Sequence, residues 1–295
     1  MGGGVAMVLA VVASGASVAP CHQGPFAVTN AGVILSGDVL GRGSPVLMIP
    51  SLGRGPGDFS DLATRVSRAG FAVVRYEPRW FGRSDGPEKA NLQDLADDAA
   101  AVLTAACGDT PAVVIGHAFG NRVARTLASR HPGKVNSVVL LAAGGQIPIP
   151  PKVSEAIGIA AAQGLKSDVE RLAALELAFF APGNDARSWL TGWSPRAAQL
   201  QGRALTATSG DDWKSAGTVP IMVLQPVADP VAPFANVQAL VTQLGDRIHT
   251  VALPGASHAI LPEQPRAVAK AIIRWLRGER RTPVLQSVVD RSVAK

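Results

Sequence analysis

From residue 45 onward the chain alternates short apolar runs with stretches of helical periodicity, and this rhythm restricts the fold more than any other feature. PVLMIP at 45–50, PAVVIG at 111–116, VNSVVLLAA at 135–143 and VPIMVLQ at 219–225 are continuous apolar runs of strand length. Runs of this kind belong to strands buried on both faces. FAVVRYE at 71–77 and RIHTVAL at 247–253 extend the series, and FAVTN and GVILSGDVL, split by Asn30-Ala31-Gly32, predict a hairpin leading in. Helices are expected between the strands. One follows residue 50, with Asp58 or Ser60 as cap and Leu62, Val66 and Phe71 facing inward. Another spans 91–107, where Leu92, Leu95, Ala99, Val102 and Leu103 recur at helical spacing and Asp94, Asp97 and Asp98 enrich the early turns. Further helices are Asn121–Arg130 and a closing one over 265–278 through Val268, Ile272, Trp275 and Leu276. Strand–helix–strand repetition implies an α/β fold whose mostly parallel central sheet is covered on both faces.

The rhythm stops at 146. A Pro-rich turn, IPIPPK, opens a stretch to 218 that has no strand-like run. Its clearest helix is Ser167–Phe180, with a Ser167/Glu170 capping box and an apolar stripe through Val169, Leu172, Leu175 and Phe179. Residues 25–145 and 219–280 therefore read as the α/β core and 146–218 as a helical cap inserted late in the sheet. Residues 1–24 form an apolar N-terminal segment and 281–295 a basic C-terminal tail. The run VAMVLAVVA at 5–13 is too short to span a membrane, and the SGASVA after it has signal-peptidase-like spacing. Export through this segment and a cytoplasmic location both stay open. The VAPC that follows is a poor lipobox, because Pro20 stands where a small residue belongs.

The net charge of +6 suggests nucleic-acid or membrane binding only until it is located: residues 266–295 hold eight Lys or Arg against two acids, and the rest balances. No nucleic-acid partner and no transmembrane anchor are expected; the oligomeric state is not encoded in any pattern found. Cys21 and Cys107 make neither a metal motif nor a disulfide framework, and a single bond between them is left open. The histidines at 22, 117, 131, 249 and 258 show no metal-site spacing, and no phosphate loop or dinucleotide fingerprint occurs. No cofactor and no metal are expected.

The sharpest local signal is Gly116-His117-Ala118-Phe119-Gly120, directly after one expected strand and before a helix. Two glycines at this spacing permit a strained strand-to-helix turn that exposes the middle side chain beside a helix N-terminus. The hydrolase pattern for such an elbow is G-x-S-x-G. Here Ala118 stands at the nucleophile position, and a methyl group cannot attack a carbonyl. Asp229 lies just past the 219–225 run and His258 just past the 247–253 run. Both project from the carboxyl side of the sheet, where open α/β sheets place their chemistry. An acid that orients a histidine base, in the chain order nucleophile position, acid, histidine, is the arrangement of a Ser-His-Asp hydrolase.

These residues resemble the α/β-hydrolase superfamily of esterases, lactonases, epoxide hydrolases, haloalkane dehalogenases and proline-iminopeptidase-like enzymes, over residues 26–280. PRWFGRSDGP at 78–87 is similar to the loop that usually reads Asp-x-Arg-Gly-x-Gly-x-Ser, with Glu77 at its first position and Trp80 replacing a glycine. In PVLMIPSLGRG, Pro50 and Ser51 occupy the usual His-Gly positions. The resemblance implies that the backbone N–H groups of Leu52 and Phe119 form an oxyanion hole. It also places the Ser51 hydroxyl where it is a candidate for a relocated nucleophile, with a His-activated water as the other candidate. His117 is expected to point away from the pocket, and Arg54, Arg79 and Arg83 to brace loops. Trp80, Phe179, Phe180, Trp189 and Trp193 are candidates for an apolar pocket that takes a small hydrophobic or ester-like molecule.

The expected activity is hydrolysis of an ester, lactone or similar acyl bond. The alternatives are an inactive small-molecule-binding homologue, a non-hydrolytic enzyme that uses His258 as base, and a serine hydrolase inactivated by engineering at position 118.

Overall fold

The computed structural model describes residues 21–208 and 212–279. The apolar N-terminal run and the basic tail expected from the sequence lie outside the described residues.

Eight strands form one sheet: β1 (Gly24–Asn30), β2 (Val33–Leu40), β3 (Pro45–Ile49), β4 (Ala72–Tyr76), β5 (Ala112–His117), β6 (Val135–Leu141), β7 (Ile221–Pro226) and β8 (Ile248–Leu253). Their spatial order is β1-β2-β4-β3-β5-β6-β7-β8. β1 and β2 form the expected hairpin, β2 pairs antiparallel with β4, and every later pairing is parallel. Nine α-helices accompany them among the described residues: α1 (Ser60–Arg68), α2 (Leu92–Cys107), α3 (Phe119–Arg130), α4 (Pro151–Ala161), α5 (Asp168–Ala178), α6 (Pro195–Ala207), α7 (Ala235–Leu244), α8 (Ile260–Glu263) and α9 (Pro265–Leu276).

The two-residue period of a strand divides the core. In β3, Val46 and Met48 pack under α1 and α9, whereas Leu47 and Ile49 pack under α2, α3 and α7. α4, α5 and α6 fall between β6 and β7; α4 and α5 gather a third cluster around Leu175, Phe179, Trp189 and Trp193, while α6 packs its buried face into the main core. That is the late helical insertion the sequence predicts. No described helix is long and apolar enough to cross a membrane.

Local chemistry accounts for the element ends. Asn91 caps α2, accepting from the Asp94 amide at 2.9 Å while the Asp94 carboxylate accepts from the Asn91 amide at 2.8 Å. Ser167 caps α5 through the predicted box with Glu170. Two expectations fail. Neither Asp58 nor Ser60 caps α1, because Arg54 takes both carboxylate oxygens of Asp58. On α5, Val169 is 81% exposed, and the buried face runs instead through Arg171, Ala174, Leu175 and Ala178. Cys21 and Cys107 form a disulfide that ties the segment leading into β1 to the last residue of α2.

Candidate functional site

The turn from β5 into α3 is held by backbone approach. A Cβ on Gly116 would lie 2.4 Å from the Gly120 carbonyl oxygen, and one on Gly120 would lie 2.3 Å from that of Ile49, so neither position admits a side chain. Between them Ala118 takes φ 49° and ψ −109°, a region L-residues rarely occupy. Such strain costs on the order of 1–3 kcal/mol and persists where the surroundings over-determine it. Ala142, just past β6, carries the same left-handed sign at φ 51°. Both residues border one cavity at the carboxyl end of the sheet.

Asp229 and His258 meet there, brought by the loops after β7 and β8. His258 Nδ1 lies 2.8 Å from Asp229 Oδ2, and both side chains are buried. A carboxylate only accepts, so Nδ1 carries the proton and Nε2 is the basic nitrogen. The other Asp229 oxygen accepts from the amides of Val231 at 2.9 Å and Ala232 at 2.8 Å. Gln225 pins the same loop: it accepts from the Ala143 amide at 2.9 Å and donates to the Ala232 carbonyl at 2.5 Å. Glu263 fixes the His258 loop by accepting from the amides of Ser257 and Ala181, each at 2.7 Å. Burial raises its carboxyl above the usual range.

His117 is a framing residue. Its Nε2–H donates to the His258 carbonyl at 2.9 Å, and it does not border the cavity. Burial, followed by the neighbouring His258, lowers it to about 3, so the ring stays neutral.

The cavity has a volume of about 230 Å³ and opens to solvent. Ser51, Leu52, Ala118, Phe119 and His258 border its sheet side. Ser51 is buried, and among the described residues its hydroxyl makes no hydrogen bond to His258. The Leu52 amide likewise has no partner there, and the Phe119 amide opens α3, where no preceding turn can receive it.

On the cap side, Phe179 and Trp193 border the cavity. Trp80, Phe180 and Trp189 do not, which corrects their reading as pocket residues. Trp80 lies in the main core and donates from Nε1 to the Gly86 carbonyl at 3.2 Å. Trp189 packs against Phe179, Phe180, Trp193 and His117. The guanidinium of Arg54 lies 4.6 Å from the ring centroid of Trp189 and 4.7 Å from that of Trp193. Arg79 is buried against Asp98, and Arg83 pairs at the surface with Glu77.

Of the cavity residues not foreseen in the sequence, Arg122 is the charged one. Arg122 lies one helical turn beyond Ala118 and borders the same space. The usable signal was its i+4 spacing from the turn, which puts it on the same side of α3.

The family model described as serine aminopeptidase, S33, matches residues 45–265. Among solved structures, an esterase from Thermogutta terrifontis superposes with a TM-score of 0.71 at 20% identity, covering 87% of this chain and 99% of that one. An esterase from Exiguobacterium antarcticum gives 0.73 at 16% identity, covering 86% and 100%. An enol-lactonase from Burkholderia xenovorans gives 0.70 at 19% identity, covering 85% and 99%. At these identities the superpositions establish the fold.

Proposed function

Because the chain belongs to the serine aminopeptidase, S33, family, within the α/β-hydrolase superfamily, we propose that it hydrolyses an ester, lactone or similar acyl bond in a small, mainly apolar substrate, and that it does so without a serine at the elbow. The observation that carries this reading is the buried His258–Asp229 pair, 2.8 Å long, beside a cavity whose elbow side chain is only a methyl group.

The nucleophile in this reading is water held over Ala118. His258 Nε2 takes one of its protons as the oxygen bonds to the acyl carbon, and Asp229 stabilises the imidazolium without becoming protonated. The carbonyl oxygen gains the negative charge and meets the Leu52 and Phe119 amides, donors in place before the reaction begins. Collapse breaks the bond between the acyl carbon and the leaving oxygen, which receives the proton from His258. An acid and an alcohol, or a hydroxy acid from a lactone, leave. Ser51 is the competing nucleophile; the lack of a hydrogen bond to His258 favours water.

The experiment combines a panel of small esters and lactones with two variants and a fluorophosphonate probe read by intact mass. His258→Ala is expected to lose about 10²- to 10⁴-fold in turnover, and Ser51→Ala to keep most of it. A single probe adduct on Ser51, absent in His258→Ala, would replace water with a relocated serine. Turnover unchanged by His258→Ala would sink both routes. If no ester or lactone is cleaved while small esters still bind, the methyl group of Ala118 marks a binding protein instead.

A further inference from the structure

The cavity that holds His258 is bordered by a cation that no described carboxylate meets. Its lining is mostly apolar and includes one cation, Arg122, and no carboxylate among the described residues. The Arg122 guanidinium makes no hydrogen bond or ion pair with any described residue; it lies over the face of Trp213, 5.4 Å from the ring centroid. Room for the guanidinium is built into the wall. Gly145, at φ +103°, also borders the cavity, and a Cβ there would sit 3.2 Å from Arg122 Nη2.

A second cation, this one fully buried, leaves the charge unrelieved from behind. Arg125 is fully buried over the same Trp213 ring at 4.9 Å, with Nε and Nη1 unpartnered among the described residues. A guanidinium half withdrawn from water gains most from a planar anion that can accept two of its N–H bonds.

We propose that Arg122 binds a carboxylate of the substrate, so that the preferred substrate is a small ester or lactone with a free carboxylate at the end away from the scissile bond. The inference deepens the hydrolase reading and rests on it for the reacting end. Arg122 lies four residues beyond Ala118, one turn along α3, so the charged anchor and the elbow border the same cavity from one helix. The cavity, about 230 Å³ and open to solvent on one side, admits a compact molecule of this kind. Ile149, Ile157 and Leu205 supply apolar contact for the stretch between its two ends.

The test compares monomethyl glutarate with its neutral isostere, methyl glutaramate, at pH 7, reading hydrolysis by NMR and binding by calorimetry. The acid is expected to exceed the amide at least tenfold in kcat/KM and in affinity, with the advantage shrinking as salt is raised. Arg122→Gln is expected to bring the ratio close to one, and Arg122→Lys to restore part of it. Thermal melts establish that both variants are folded. Equal handling of acid and amide by the unaltered protein overturns the inference while leaving hydrolysis intact. So does an Arg122→Gln variant that keeps the preference. If neither compound is cleaved but the acid binds preferentially through Arg122, the inference stands and the hydrolytic reading falls. Failure of both compounds to bind overturns the inference.

Discussion

The two walls of the cavity are held by different physics. On the sheet side each reactive group is fixed by short, directional bonds from strand ends: Asp229 by two amides and His258, the Asp229 loop by Gln225, the His258 loop by Glu263. The cap side is held by rings packed around a buried cation, with Arg54 between Trp189 and Trp193. Directional bonds fix atoms to fractions of an ångström, which proton transfer needs. Ring packing fixes volume and leaves orientation softer, which suits a surface that must conform to a ligand.

The sharpest way to break this contrast is to remove the cation from the cap wall. Arg54→Met leaves Asp58 buried without its partner and is expected to cost about 3–5 kcal/mol in urea unfolding. Arg54→Met combined with Asp58→Leu should recover most of that loss. A single variant costing under about 1 kcal/mol would show that the rings hold the wall unaided.

Where the walls touch, at His117, acid tests the junction. The ring is neutral in the fold down to about pH 3, but in the unfolded chain it protonates near 6.5. The unfolded state therefore binds the extra proton between these values, and stability falls as pH drops below 6.5. By pH 5 the loss from this residue is about 2 kcal/mol. His117→Gln is expected to flatten that part of a stability-against-pH curve, and an unchanged slope would assign the acid sensitivity elsewhere.

The smallest effect belongs to the sheet wall's strained turn. Ala118→Gly relieves a backbone conformation glycine tolerates, and a gain of about 1 kcal/mol is expected, raising Tm by roughly 2–4 °C. A lower Tm would mean the methyl group's contacts outweigh the strain.

Much of the sheet wall was readable because its signals are local. Continuous apolar runs marked β3, β5, β6 and β7; Gly116 and Gly120 marked the close approach; Asp229 and His258 followed strands at the expected ends. The cap was less legible. Whether an aromatic ring lines a cavity or fills a core depends on how helices dock, so Trp189 and Trp193, four residues apart, read alike and were separated only by packing. Val169 matched the apolar period of α5 but faces outward, because the helix presents Arg171 and Ala174 to its neighbours. Arg122 carried no signal of its own, since nothing nearby in sequence reveals that its guanidinium faces a cavity without a described carboxylate.

The Cys21–Cys107 bond has a mechanical consequence. β1 lies at the edge of the sheet, paired only with β2, and such a strand could otherwise be unzipped one hydrogen bond at a time by tension from the chain before it. With Cys21 bonded to the end of α2, tension applied ahead of residue 21 passes through sulfur into a helix packed on the core. The edge strand is thereby shielded from the load, and anything attached ahead of it pulls on the interior of the fold.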